Sequence, residues 1–141
     1  MTFRNVLVPF DGSEQALKAL EVGAGLANAG QVKLHILNVA EYVPVPGEPT
    51  DAVFMIDQGI TQLQGLTMKK AEYLVKKHKV KAQLVAKKGH PADEILKYAK
   101  KERCDLIIMG NRGASGLNRF LLGSVSDSVA HHAHCAVLIV K

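Results

Sequence analysis

Short apolar runs alternate with amphipathic stretches along the whole of this 141-residue chain. Arg4 to Pro9 reads as a buried strand. From Ser13 to Asn28, Leu17, Leu20, Ala24 and Ala27 fall on one helical stripe, and Gly30 is expected to stop that helix. Val32 to Val39 is a second strand. Ile56, Ile60, Leu63, Ala71, Leu74 and Val75 recur at helical spacing across a long second helix, and Lys81 to Lys87 forms a third, more polar strand. Pro91 suits a first helical position. With Asp93 and Glu94 in the first turn and lysines in the last, it predicts a helix from Pro91 to Lys101. A fourth strand over Leu106-Ile107-Ile108-Met109, a glycine loop, a helix from Val125 to Ala133 and a last strand from Ala136 to Val140 complete the pattern.

This alternation predicts an α/β fold, a doubly wound parallel sheet of five strands with helices on both faces. Parallel neighbours need crossovers, and those crossovers are right-handed. In such sheets ligands sit beyond the carboxyl ends of the strands, where strand order reverses.

Composition narrows the reading. The length suits one domain over residues 1–141, and 48% hydrophobic residues argue against disorder. No apolar stretch reaches spanning length and Met1-Thr2-Phe3-Arg4-Asn5 is no basic-then-apolar leader, so a cytoplasmic protein is expected, with no membrane partner. Cys104 and Cys135 stand at the starts of strands and read as packed thiols. The formal charge of +5 is local. Lys69, Lys70, Lys76, Lys77, Lys79 and Lys81 surround one helix, and Lys97, Lys100, Lys101 and Arg103 surround another helix end. Each group interleaves with an apolar face and aromatics are only 5%, so solvated faces are expected rather than a nucleic-acid platform.

The candidate chemistry lies in Met109-Gly110-Asn111-Arg112-Gly113 and in Gly123-Ser124-Val125-Ser126. Strand, glycine loop and helix in that order can bring backbone N–H groups to a phosphate, with the dipole of the helix N-terminus aimed at the same anion. Such a loop also serves as a plain connection. No Gly-Lys-Ser/Thr follows, so this is not a Walker A loop. Gly23-Ala24-Gly25-Leu26-Ala27-Asn28 lacks the last glycine of the dinucleotide fingerprint and lies in a helical pattern.

Gly110, Gly113, Gly123 and Ser124 meet the spacing Gly-x2-Gly-x9-Gly-Ser/Thr. In this the chain resembles the nucleotide-binding branch of the universal stress protein family. The resemblance extends to Val6-Leu7-Val8-Pro9-Phe10-Asp11-Gly12-Ser13, to the second strand ending at Val39, and to Cys135-Ala136-Val137-Leu138-Ile139-Val140. It implies a Rossmann-like, adenine nucleotide alpha hydrolase-like sheet in the order 3-2-1-4-5, bound ATP and a homodimer. The reversal then falls between the first and fourth strands, at Pro9-Phe10-Asp11 and Met109-Gly110.

Roles follow as expectations. Gly110, Gly113, Gly123, Ser124, Val125 and Ser126 form the phosphate cradle, although Ser124 is equally placed to be the N-cap of the last helix. Asp11 belongs to the nucleoside pocket by resemblance. Beside a triphosphate it accepts a ribose hydroxyl or shares a divalent cation, which brings Mg2+ in with ATP; alternatively Asp11-Gly12-Ser13-Glu14 is a capping box. By the same resemblance the backbone of Val39 meets adenine, while Pro9 and Met109 pack on base and sugar. Arg112 reaches a phosphate or points to water. Phe10 is bulkier than the residue some relatives carry there. Glu41 to Asp57, with Pro44, Pro46 and Pro49, reads as a loop, either a lid over the base or a disordered insertion.

No P-loop lysine or evident water-activating base accompanies the loop, so hydrolysis is expected to be slow or absent. His131, His132 and His134 suit a helix C-terminus better than a metal site. The apolar last strand, 136–140, is expected to pair antiparallel with a second copy. Three functions remain open: an ATP-binding stress or signalling module, a slow ATPase or nucleotidyl-transfer enzyme, and a dimeric stress protein whose glycine loop is only structural.

Overall fold

The computed structural model describes residues 2–42, 46–47, 50–111 and 122–141. In chain order the elements are β1 (Asn5–Pro9), α1 (Glu14–Ala29), β2 (Lys33–Glu41), α2 (Thr50–Lys77), β3 (Ala82–Gly89), α3 (Pro91–Lys101), β4 (Leu106–Gly110), α4 (Ser124–His132) and β5 (Ala136–Val140). All five strands run parallel in the order β3-β2-β1-β4-β5. Register at the centre pairs Leu7 with His35 and with Ile107. The carboxylate of Asp105 accepts from the backbone N–H groups of Arg4 (2.9 Å) and Asn5 (3.1 Å), which ties the start of β1 to β4.

Side chains alternate across the strands, and this splits the core into two layers. On one face Val6, Val8, Leu34, Ile36 and Ile108 meet Ala16, Ala19 and Leu20 of α1 and Ala71 and Val75 of α2. On the other, Leu7, Leu37, Ile107 and Met109 meet Ala92, Ile95, Tyr98 and Ala99 of α3 and Val129 of α4. Gly23 lies inside α1, where a Cβ would come within 2.9 Å of Val8 Cγ2 and 3.1 Å of Leu34 Cδ1. Its lack of a side chain lets the helix settle on the sheet, and no nucleotide fingerprint is involved.

One expectation about the elements needs correction. The long helix begins at Thr50, so the last part of the stretch read as a loop, 50–57, is helical. The three prolines end at Pro49, just ahead of that first turn, and the helix is then held by the packing of one face rather than by a clean repeat. Gly30 does stand at the end of α1, but with φ −164 it is extended, a conformation open to any residue. Its stop therefore does not rest on left-handed backbone.

Candidate functional site

β1 and β4 are neighbours whose following helices cover opposite faces, so a crevice opens at their carboxyl ends. A cavity of about 340 Å³ occupies it. Of the residues expected there, Pro9, Asp11, Val39, Met109, Gly110, Ser124, Val125 and Ser126 all line it. Gly123 adjoins as the N-cap of α4, while Arg112 and Gly113 lie outside the described residues. Sequence reading missed Leu37, Glu41, Pro91 and Ile95, which also line the wall. Ile95 lies one turn into α3, on the same face as Ala92 and Ala99, and that stripe could have revealed it.

The polar end of the cavity is the first turn of α4. Gly123 N–H donates to the Asn111 carbonyl (2.9 Å) and Asp127 N–H returns to the Gly123 carbonyl (2.8 Å). The N–H groups of Ser124, Val125 and Ser126 between them open the helix and have no carbonyl one turn back within it among the described residues, so they offer donors and the positive dipole end to an anion. The cap itself is Gly123 and not Ser124, because Ser124 already has helical backbone. Its hydroxyl is thereby released from capping. The Ser126 hydroxyl, in contrast, donates to the Gly110 carbonyl at 2.8 Å and ties α4 to the end of β4.

At the other end, backbone parity exposes a second pair of polar groups. Successive residues in a strand direct their N–H and C=O to alternate edges. Leu37 accepts from Phe10 N–H (2.8 Å), so Leu37 and Val39 both face the β1 side. β1 has ended at Pro9, opposite Leu37, and the Val39 backbone is left facing the cavity. The apolar side chains of Leu37, Ile95 and Met109 stand between this edge and the α4 turn.

Asp11 reaches the rim with Oδ1 accepting Ser13 N–H at 2.9 Å. The helix cap is Ser13, whose Oγ accepts Ala16 N–H at 3.2 Å, so the capping-box alternative for Asp11 is replaced by a short turn closed through Oδ1. Beneath the rim runs a buried amide relay. Asn38 Nδ2 donates to the Phe10 carbonyl (2.8 Å), Gln64 Nε2 donates to Asn38 Oδ1 (2.9 Å), and Gln64 also reaches the Lys87 carbonyl (2.8 Å). It fixes the β1 end, the β2 end and α2 together.

Three comparisons bear on this geometry. Residues 2–141 match the universal stress protein family. The chain belongs to that family. It is 35% identical over 147 residues to the universal stress protein YxiE of Bacillus subtilis, covering 99% of each chain. It is 32% identical over 140 residues to a universal stress protein of Methanocaldococcus jannaschii, covering 99% of this chain and 82% of that one. A crystal structure of a universal stress protein in complex with cAMP superposes with a TM-score of 0.73 at 27% identity, over 100% of this chain and 98% of that one.

Away from the crevice the described thiols are free, and burial pushes Cys104 up to about 12, so it behaves as core. Among the described residues no cluster of three or more metal-ligating side chains occurs, and no helix is long and apolar enough to cross a membrane. His35 is fully buried on β2, its Nδ1 2.8 Å from the Tyr98 hydroxyl, with Nε2 unpartnered among the described residues. Burial, then Lys33, holds its pKa below the ordinary histidine value. The unfolded chain therefore takes up a proton below a pH of about 6.5 that the folded chain refuses. Stability is expected to fall from that pH downward to the lowered folded pKa, at up to about 1.4 kcal/mol per pH unit. Urea titrations between pH 7.5 and 5 should show this slope, flattened in His35→Phe/Tyr98→Phe.

Proposed function

We propose that this protein binds an adenine nucleotide, foremost ATP with Mg2+, and acts as a nucleotide-dependent stress-response or signalling module. The observation that carries the reading is one cavity with a free helix N-terminus at one end, an open strand edge at the other and apolar walls between. A phosphate chain suits the N–H groups of residues 124–126. A purine ring suits the space beside the Val39 backbone, whose N–H and C=O match the acceptor and donor on an adenine edge. The relative solved with cAMP, alike over the whole chain, supports the same chemistry.

On the spacing of Gly110, Gly113, Gly123 and Ser124 in the sequence, we assign the rest of the cradle to Arg112 and Gly113. The oxygen donors present fit Mg2+, a hard cation held by one or two carboxylates together with substrate phosphates. Asp11 would hold it, and it would neutralise phosphate charge. The residues of this chain bind and orient; among the described residues the carboxylate in the first turn of α4, Asp127, faces His131 at 3.4 Å and does not line the cavity, so turnover is expected to be slow or absent. The two thiols fit a reducing cytoplasmic setting. β5 is an edge strand with Leu138 42% exposed, and we assign it to antiparallel pairing with a second copy.

Calorimetric titration of nucleotide-free protein with ATP and Mg2+ tests the reading. Micromolar binding near one ATP per chain, with phosphate release no faster than in Gly113→Asp, is expected. Clear turnover above that control would make it an enzyme, and no heat at several temperatures would reduce the glycine loop to a connection.

A further inference from the structure

Among the described residues, α2 carries most of the exposed large apolar side chains. Met55 is 70% exposed, Leu66 65% and Tyr73 65%. The packed face of the helix is marked by Gln64, Ala71 and Val75. At 100° per residue Met55, Leu66 and Tyr73 lie opposite that face. They form a seam with Gly59, Gln62 and Lys69, spaced four, three, four, three and four residues apart, which is the repeat of one helix lying along another. Gly59 and Gly65 each weaken a helix, yet a Cβ at either would meet nothing within 4 Å in this chain.

Charge along the helix is divided by halves. The first half holds Asp51 and Asp57 with no lysine or arginine; the second holds Lys69, Lys70, Lys76 and Lys77 against Glu72. Asp57 is engaged by Lys88 and Lys76 by Glu72, and Lys70 donates to the Gly12 carbonyl, whereas no ion pair among the described residues involves Asp51, Lys69 or Lys77.

We propose that α2 is a self-association surface, pairing antiparallel with α2 of a second copy about a two-fold axis between Gln62 and Leu66. That one axis satisfies both patterns. It sets Met55 against Tyr73, Gln62 against Leu66 and Gly59 against the stem of Lys69, and it sets Asp51 against Lys77. A parallel pair would instead place the basic halves side by side. The two-fold arrangement is self-complementary and closes on itself. A single seam along a helix of 28 residues is narrower than the standard interface of about 800 Å² per partner, so the pairing is weak, concentration-dependent and salt-sensitive. α2 packs on β2 and β3, at the far side of the sheet from β5. Pairing through α2 would therefore join copies, or β5-paired dimers, into assemblies twice as large.

Sedimentation velocity over a concentration series in low and physiological salt, with a cross-linking arm, tests this. Leu66→Glu, at an exposed site, is expected to weaken the concentration-dependent association at least tenfold. Asp51→Lys and Lys77→Glu should each weaken it, and the double variant should restore it. Under mild oxidation, a mixture of Met55→Cys and Tyr73→Cys chains is expected to cross-link, while either variant alone does not, because the two-fold holds equivalent Met55 positions roughly 27 Å apart. The parent chain controls for Cys104 and Cys135. Association unchanged by Leu66→Glu, or Met55→Cys chains that cross-link alone as readily as in the mixture, would overturn the proposal and give the face to a different partner.

Discussion

Gly110→Ala is expected to lower the melting temperature by roughly 10 °C and to weaken ATP binding with it. A Cβ at Gly110 would stand 2.5 Å from Gln15 Cβ and 2.9 Å from the Gln15 carbonyl carbon. The second of these is backbone in the first turn of α1, so no rotamer change relieves it. Overpacking a core costs about 1–3 kcal/mol, and a backbone neighbour puts this case at the upper end. At this chain length about 3 kcal/mol corresponds to the stated shift. The loss of binding follows from geometry. Gly110 also supplies the carbonyl that holds Ser126, and displacing β4 from α1 moves the α4 turn away from the Asp11 rim. Differential scanning calorimetry with and without ATP checks both effects, and Gly59→Ala, where a Cβ meets nothing, should leave the melting temperature unchanged or slightly raised.

The second large effect is expected at Asn38. Asn38→Leu keeps the branched outline, with bulkier methyl groups in place of the amide, but orphans the Phe10 carbonyl and removes one of the two acceptors of Gln64. Each buried polar group left without a partner costs about 1–3 kcal/mol, so a loss of about 2–4 kcal/mol is expected for the relay. Gln64→Leu should cost less, since it strands the Lys87 carbonyl and Asn38 Oδ1 near the edge of the sheet. The double variant should cost less than the sum, because each amide is then freed from facing an unsatisfied mate. A double-mutant cycle in urea measures this coupling. ATP affinity of Asn38→Leu is expected to fall about tenfold, as the turn carrying Asp11 is no longer tied to the β2 end that presents Val39.

The relay also marks the boundary of what the sequence conveys. The alternation of apolar runs and stripes yields five parallel strands, four helices and the α3 limits at Pro91 and Lys101, because those signals are local. Strand order came from the resemblance, since periodicity does not say which strands are neighbours. Asn38 and Gln64 are 26 residues apart, and nothing in either neighbourhood marks them as partners. Asn38 and His35 do stand out as polar residues within the apolar run of β2, and a buried polar residue demands a mate. That is the signal that was available.

Residues at the site show the same division. In the sequence Gly110 reads as part of the phosphate cradle, and the structure gives its missing Cβ a further reason, the close approach of α1 at Gln15. Ser124 and Asp11 each had a competing capping role, and neighbouring residues, Gly123 and Ser13, are the caps. A shift of one residue at a helix start is beyond a sequence pattern, yet it decides whether a hydroxyl is engaged. The exposed seam of α2 was present in the sequence as Met55, Leu66 and Tyr73. It was hidden because a helical stripe reads as core until the packed face is known to lie opposite.

The most direct test of nucleotide binding at this crevice is a titration of isotope-labelled protein with ATP and Mg2+, followed by amide chemical shifts. The expected result is large shifts at Val39 and at Ser124, Val125 and Ser126, the two ends of one cavity moving together and saturating near one ATP per chain. Shifts confined to other surfaces, such as the α3 and α4 C-termini around Lys100 and His132, or none at all, would contradict it.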